Sequence, residues 1–275
     1  RLAGTMLKSE ASEEKLVALM FEKKITAVET SHGTSFEKQA TPLLELCGVN
    51  THGEGAQIRL KAIDLKVHPG EIVGVAGVSG NGQKELGELA LGMIKCVGGR
   101  KFLFGSDATN LSIQQVRRRG VGFIPENPLS MAIAPYMTVL QNMALTRTWK
   151  YTRNGGLRMN WKAVKVDTER TMQALEFTFP LFVPARSLSG GNLQRMVIVR
   201  EMAQEPRLII ASYLTRGLDV LSTIAARQAL ERARDNGAGI LLISEDLEEL
   251  FGLSDRLIVL YAGRIAGSFK PGDTS

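Results

Sequence analysis

The sequence predicts an α/β fold with a mainly parallel core sheet, an N-terminal antiparallel β lobe and an inserted helical lobe. Three observations predict it. Short apolar runs at 71–76, 207–211 and 240–244 are separated by stretches of helical periodicity, the pattern of strands buried on both faces of a parallel sheet. Two runs within 43–67 instead alternate apolar and polar residues, as strands with one wet face do. Residues 128–188 carry helical patterns. With 275 residues, 44% of them hydrophobic, the chain can bury one large core or two unequal lobes.

From the N-terminus, Ser12-Glu13-Glu14-Lys15 opens a short amphipathic helix to about Phe21, and polar residues follow as far as Thr41-Pro42. Residues 1–42 read as a tail and linker ahead of a main domain at 43–275. A chain that starts on Arg1 rather than methionine also reads as a piece of a longer protein. The alternating runs of 43–67 form antiparallel strands around a turn at Thr51-His52-Gly53-Glu54-Gly55.

Pro69-Gly70 turns the chain into the strand 71–76, which feeds Gly77-Val78-Ser79-Gly80-Asn81-Gly82-Gln83-Lys84-Glu85-Leu86 and a helix to about Met93. Strand, glycine loop, helix is the context in which backbone N–H groups and a helix N-terminus cradle a phosphate. Against the pattern G-x-x-x-x-G-K-[ST], Gly77 and Gly82 are in register, but Gln83 stands at the lysine position and Lys84 at the Ser/Thr position. Gln83 can hydrogen-bond a phosphate oxygen without bringing charge, and Lys84 cannot ligate Mg²⁺, which takes hard oxygen donors. Two readings of Lys84 stay open: its ammonium replaces a cation, or it points to solvent and the loop is a tight turn.

The strand at 122–124 ends in Pro125-Glu126. In the helical lobe, about 128–188, helices fall around 139–145 and 161–175, separated by Asn154-Gly155-Gly156. Residues 128–137 are apolar and methionine-bearing, which suits a docking groove and equally an internal loop packed under the lobe. Ser187-Leu188-Ser189-Gly190-Gly191-Asn192-Leu193-Gln194 then leads into a helix at 193–202, a second N-terminus that favours phosphate. The strand 207–211 is followed by Ser212-Tyr213 and by Thr215-Arg216-Gly217-Leu218-Asp219-Val220, and the strand 240–244 by Glu245-Asp246-Leu247.

Composition narrows the function classes. The net charge of +6 is spread along the chain, with only Arg117-Arg118-Arg119 clustered as a solvated helix end, so no nucleic-acid partner is expected. Cys47 and Cys96 provide no disulfide framework, and scattered His32, His52 and His68 provide no metal site. No apolar run reaches the roughly 18 residues that span a bilayer, so any membrane link goes through a partner.

Taken in order, these words resemble an ABC-type ATPase domain with its P-loop NTPase fold, the stretch from Ser187 to Gln194 being similar to that family's signature motif. Gly-Asn-Gly-Gln in the phosphate loop, Pro-Glu after 122–124, Thr-Arg-Gly-Leu-Asp and Ser-Glu-Asp resemble more closely the second half of duplicated ATP-binding proteins serving simple-sugar and nucleoside importers. The resemblance covers about 43–269. It implies that two halves pair head to tail, each ATP lying between the loop of one half and the signature of the other.

Carried onto this chain, the resemblance implies nucleotide contacts from Gly77, Ser79, Gly80, Asn81, Gly82, Gln83, Lys84 and Glu85 on one side and from Ser189, Gly190, Gly191 and Gln194 on the other. The family's catalytic positions fall on Glu126, Asp219 and Glu245. Here Ser212 and Tyr213 replace a metal-linked aspartate and a catalytic glutamate, Glu245 replaces a switch histidine, Glu126 a glutamine and Leu214 a proline. The lobe expected to stack adenine has no aromatic residue within 43–67. ATP is the implied cofactor, and Lys84 argues against Mg²⁺ at this half's own site. This half is expected to complete its partner's site through an intact signature, and alone to be a monomer or weak dimer with little or no hydrolysis. Implied partners are a preceding ATPase half in the same polypeptide, transmembrane permease subunits whose coupling helix 128–137 would receive, and, indirectly, an extracytoplasmic solute-binding protein. The place would be the cytoplasmic face of the inner membrane, and the solute a nucleoside in preference to a pentose. A catalytically inactive interaction module and a soluble non-transport ABC ATPase are the competing readings.

Overall fold

The computed structural model describes residues 40–53, 55, 57–153 and 158–273. The helix expected at 12–21 and the separator Asn154-Gly155-Gly156 lie outside the described residues.

Two sheets organise the domain. The first is antiparallel and contains β1 (Leu44–Thr51) and β2 (Ile63–Val67). The core sheet begins with β3 (Ile72–Ala76), every residue of which is buried. After the glycine loop comes α1 (Gln83–Leu91), and the chain then returns to the first sheet as β4 (Cys96–Leu103) and β5 (Ser106–Asp107), giving the order β2-β1-β4-β5. This return has only a weak sequence signal, because Gly98 and Gly99 interrupt any alternation. The β1–β2 connection also differs from the expected short turn. It runs over 52–62: Thr51 N–H bonds the Leu60 carbonyl, and Lys61 N–H bonds the carbonyl of Gly263.

Next come α2 (Ile113–Arg118) and β6 (Val121–Ile124), then the helical lobe with α3 (Pro128–Met131), α4 (Val139–Ala144), α5 (Thr148–Tyr151), a two-residue ribbon β7 (Thr152–Arg153) and β8 (Arg158–Met159), and α6 (Trp161–Ala174). The chain finishes as α7 (Gly190–Met202), β9 (Leu208–Ser212), α8 (Val220–Asp235), β10 (Gly239–Ile243), α9 (Leu247–Leu253), β11 (Arg256–Tyr261) and β12 (Arg264–Phe269). The core sheet has the order β12-β11-β3-β10-β9-β6, parallel throughout except for β12.

Strand alternation divides the core in two. Ile72, Ile209, Ala211, Ile240 and Leu242 face α7, α8 and the helical lobe, while Val73, Val75, Ile210, Leu241 and Ile243 face α1 and the antiparallel sheet. Each fully buried Ile or Leu contributes roughly 1.5–3 kcal/mol, so a one-residue slip of β9 or β10 is strongly disfavoured. The loops at 77–82, 125–126, 213–219 and 245–246 leave from the C-terminal ends of β3, β6, β9 and β10, and the word at 187–194 opens α7.

The arginine cluster of α2 is not a solvated helix end. Arg117 is mostly buried and pairs at 2.9 Å with the fully buried Glu201 at the end of α7, while Arg118 lies 5.3 Å over the Trp149 ring. Glu201 also accepts the Phe123 N–H and pairs with the fully buried Arg200. Two arginines and a backbone donor hold its carboxyl below the usual range despite burial, and a carboxylate so deep requires them.

Residues 132–137 are stapled to the lobe. The buried Asn142 accepts the Ala134 N–H and donates to the carbonyls of Ala134, Met137 and Thr138, and Arg200 donates to the Ala132 carbonyl at 2.6 Å. Leu129 and Tyr136 remain exposed on the outer side. The segment is thus anchored within and apolar without.

Candidate nucleotide site

The glycine loop, residues 77–82, joins β3 to α1. Its expected phosphate cradle contains the Gln83 side chain. That amide is 4% exposed, accepts the Asn81 N–H at 3.1 Å and donates to the Val78 carbonyl at 3.0 Å. A Cβ on Gly77 would stand 2.5 Å from Gln83 Nε2, so glycine is required where the amide folds back. Asn81 ties the loop outward: its Oδ1 accepts the Ala262 N–H and its carbonyl the Gly263 N–H, both in the β11–β12 turn beside the exposed Tyr261. Ser79 and Gly80 sit exposed at the tip.

Lys84 does not lie over the loop. One residue further along a helix turns the side chain by about 100°, and the Lys84 side chain is 61% exposed with its ammonium 3.8 Å from Glu88. Burial, against the pull of Lys84, raises the Glu88 carboxyl above its ordinary value. Glu85 is buried and accepts the Ile58 N–H at 3.0 Å, which ties Ile58 to α1. Among the nucleotide candidates of this loop, Gln83 and Glu85 are therefore engaged by protein, and Ser79 and Gly80 are presented outward.

The second set is built on α7. Ser189 caps the helix by accepting the Asn192 N–H at 3.3 Å, and Ser189 and Gly190 are exposed. Gln194, by contrast, is buried and donates to the Leu214 carbonyl at 2.9 Å, joining the helix to the loop after β9. Arg195 pairs with Asp219, which caps α8 by accepting both the Ser222 N–H and its hydroxyl. Burial pushes the Asp219 carboxyl up, but the Ser222 donors and the Arg195 charge outweigh it and leave it below the ordinary carboxylate range.

A third group gathers at the ends of β6, β9 and β10. Tyr213, with φ +53°, donates its hydroxyl to Glu245 at 3.0 Å, and Arg216 bonds Glu126 while lying 5.7 Å over the Tyr213 ring. Burial, then the Glu245 carboxylate, raises the Tyr213 phenol well above its usual value. The structure thus unites Glu126 and Glu245 with Tyr213 and Arg216, and unites Gly191, Gln194 and Asp219 with Arg195. It makes no hydrogen bond or ion pair between 77–85 and 187–195 among the described residues. The partners Arg195, Tyr213 and Arg216 were absent from the sequence-derived candidates. Each had a signal in the sequence: Arg195 continues the Ser187–Gln194 word, Tyr213 stands at the position of the replaced glutamate, and Arg216 lies within Thr215-Arg216-Gly217.

Backbone N–H groups of a glycine loop and a helix N-terminus are the groups that hold phosphate oxygens, and here the Gln83 amide bonds within that loop. A divalent ion is poorly served: Lys84 stands where a hydroxyl would coordinate and Ser212 where a carboxylate would. No group of three His, Cys, Asp or Glu able to hold a metal occurs among the described residues.

Comparison with known proteins places these features in company. The family described as ABC transporter matches residues 60–211. The chain is 32% identical over 273 residues to the glucose import ATP-binding protein TsgD13 of Haloferax volcanii, covering 98% of this chain and 49% of that protein. It is 34% identical over 234 residues to the nucleoside import ATP-binding protein NupA of Lactococcus lactis subsp. cremoris, covering 85% and 46%, and 32% identical over 271 residues to the guanosine import ATP-binding protein NupO of Bacillus subtilis, covering 97% and 52%. The chain spans about half the length of the curated relatives it matches. In fold it is similar to the ATP-binding cassette MJ0796 in a dimeric post-hydrolysis state bound to ADP and Pi, with TM-score 0.72, 24% identity, and coverage of 83% of this chain and 98% of that one.

Proposed function

The chain belongs to the ABC transporter family, and from that membership we propose that it is the second ATPase half of an importer for a simple sugar or nucleoside, a half that completes its partner's ATP site while its own site is degenerate. One contrast carries the proposal: Ser189 and Gly190 stand exposed at the N-terminus of α7, ready for a facing phosphate, whereas Gln83 fills the chain's own loop without positive charge. Ser189, Gly190 and Gly191 would then hold the partner-bound nucleotide through backbone N–H groups and the helix dipole, with Asp219 assisting. ATP is the ligand, and Mg²⁺ is not held at this half's own site.

Sugar, nucleoside and guanosine import in the relatives' names supports the solute class, with nucleoside preferred. That this chain spans about half of each relative supports a preceding half on the same polypeptide. No described helix is long and apolar enough to cross a membrane, which fits attachment at the cytoplasmic face through permease subunits, a solute-binding protein acting from the other side. Leu129 of α3 and Tyr136 of the stapled segment, both exposed, would offer those permeases an apolar contact.

Calorimetric titration of the chain with ATP, with and without Mg²⁺, tests the state of its own site. Weak or Mg²⁺-independent binding is expected, and tight binding that requires Mg²⁺ would overturn the degenerate-site reading. The Gln83 plug favours a second reading, a module that binds no nucleotide at all, which the same titration separates by an absence of heat at millimolar ATP.

A further inference from the structure

We infer that Arg216 is a positioning residue: its guanidinium, paired with Glu126, braces the 213–219 loop that this half presents to its partner, so hydrolysis at the partner's site depends on a side chain that does not touch it. The inference rests on the reading that this half supplies its signature and Asp219 to a facing nucleotide.

The 213–219 loop is held from two sides. On one side is the signature helix: Gln194 donates to the Leu214 carbonyl, Arg195 pairs with Asp219, and Gly191 packs against the Gly217 carbonyl. On the other side are the neighbouring strand ends. Strand β9 runs between β6 and β10, and each neighbour extends a carboxylate beyond its C-terminal end, Glu126 from β6 and Glu245 from β10. The β9 loop answers both, with the Arg216 guanidinium on Glu126 and the Tyr213 hydroxyl on Glu245, while Arg216 lies over the Tyr213 ring. The backbone of the loop closes on itself as the Arg216 N–H bonds the Tyr213 carbonyl and the Leu218 N–H the Thr215 carbonyl.

Two carboxylates separated by one strand are thereby satisfied by groups of the chain itself. The geometry of the loop consequently needs no nucleotide in this half's own site, and the loop and signature form one block. Arg216 and Glu126 are 63% and 36% exposed, so in the open chain water weakens the pair. When a facing half closes and excludes water, the same pair strengthens. The brace is firmest at the moment the partner's site is assembled.

The test uses the intact ATPase with both halves. Arg216→Ala is expected to lower kcat on the order of tenfold while KM for ATP changes by less than about twofold, since no nucleotide contact is lost. The charge-reversed pair Arg216→Glu with Glu126→Arg is expected to recover most of that loss, which neither single reversal does. An unchanged kcat in Arg216→Ala, a KM that rises in step with the fall in kcat, or a reversed pair no better than the single variants would overturn the brace. Ser189→Ala serves as the reference. If Ser189→Ala abolishes hydrolysis and Arg216→Ala leaves kcat unchanged, the brace alone is wrong. If Ser189→Ala leaves hydrolysis intact, the reading beneath it is wrong and the brace falls with it.

Discussion

Gly191 lies so close to Gly217 that a Cβ built on the first would stand 2.8 Å from the carbonyl oxygen of the second. That contact seats the start of α7 against the loop carrying Asp219, and it explains a difference between two adjacent glycines. Gly190 has open space where its Cβ would be, whereas Gly191 has none. Gly191→Ala is expected to destabilise the chain by about 1–3 kcal/mol through overpacking. Gly190→Ala should be neutral or stabilising by up to about 1 kcal/mol, since alanine is the better helix former. Urea denaturation of the two variants reads the difference directly, and equal midpoints would contradict the contact.

Removing the plug should uncover what the phosphate loop can still do. Gln83→Lys puts an ammonium where the amide now bonds Val78, and a charge-assisted hydrogen bond to phosphate is worth about 1.5–3 kcal/mol. ATP affinity is expected to rise by on the order of tenfold or more. Lys84→Ala, on the solvent face, should leave ATP affinity unchanged and stability within about 0.5 kcal/mol. Calorimetry on both variants checks this pair, and the reverse ranking would place Lys84 over the phosphates after all.

Asp219 joins stability to acid. Its carboxyl is below the ordinary range in the folded chain, so its contribution is present above the unfolded value of about 3.9 and disappears as pH falls through the lower folded value. Asp219→Asn retains a capping oxygen but no charge, and should flatten the loss of stability as pH falls below about 4. Asp219→Ala, which also removes the cap, should cost about 0.5–2 kcal/mol at neutral pH. Denaturation curves across that pH range distinguish the two.

Alkali should weaken the helical lobe. Burial, with the Asp167 carboxylate beside it, pushes the Tyr151 phenol up to about 12. An unfolded tyrosine ionises near 10, so between about pH 10 and 12 the unfolded chain has released a proton that the folded chain keeps. The stability from the buried neutral phenol is full below about pH 10 and falls as pH rises through that window. Tyr151→Phe removes this dependence, at a loss of about 1 kcal/mol at neutral pH for the hydrogen bond to Asp167. Phenolate absorbance followed with denaturation between pH 9 and 12 tests both statements.

Strands β3, β9 and β10 and the helices α4, α6 and α7 were legible in the sequence because their signals are local: unbroken apolar runs for strands buried on both faces, and 3.6-residue periodicity with a serine, threonine or asparagine cap for helices. The signature word and the altered phosphate loop were legible for the same reason, each being a few consecutive residues whose chemistry depends on spacing. The sequence by itself determined the fold class, the family and which positions of the loop are changed. Only the tertiary structure decided where those changed side chains go. It returned β4 to the antiparallel sheet, turned Gln83 inward and Lys84 outward, buried Arg117 on Glu201, and set Arg216 on Glu126 and Arg195 on Asp219. Arg117 with Glu201 and Arg216 with Glu126 join residues far apart in the chain, and the second pair exists because the parallel sheet brings the ends of β6 and β9 side by side.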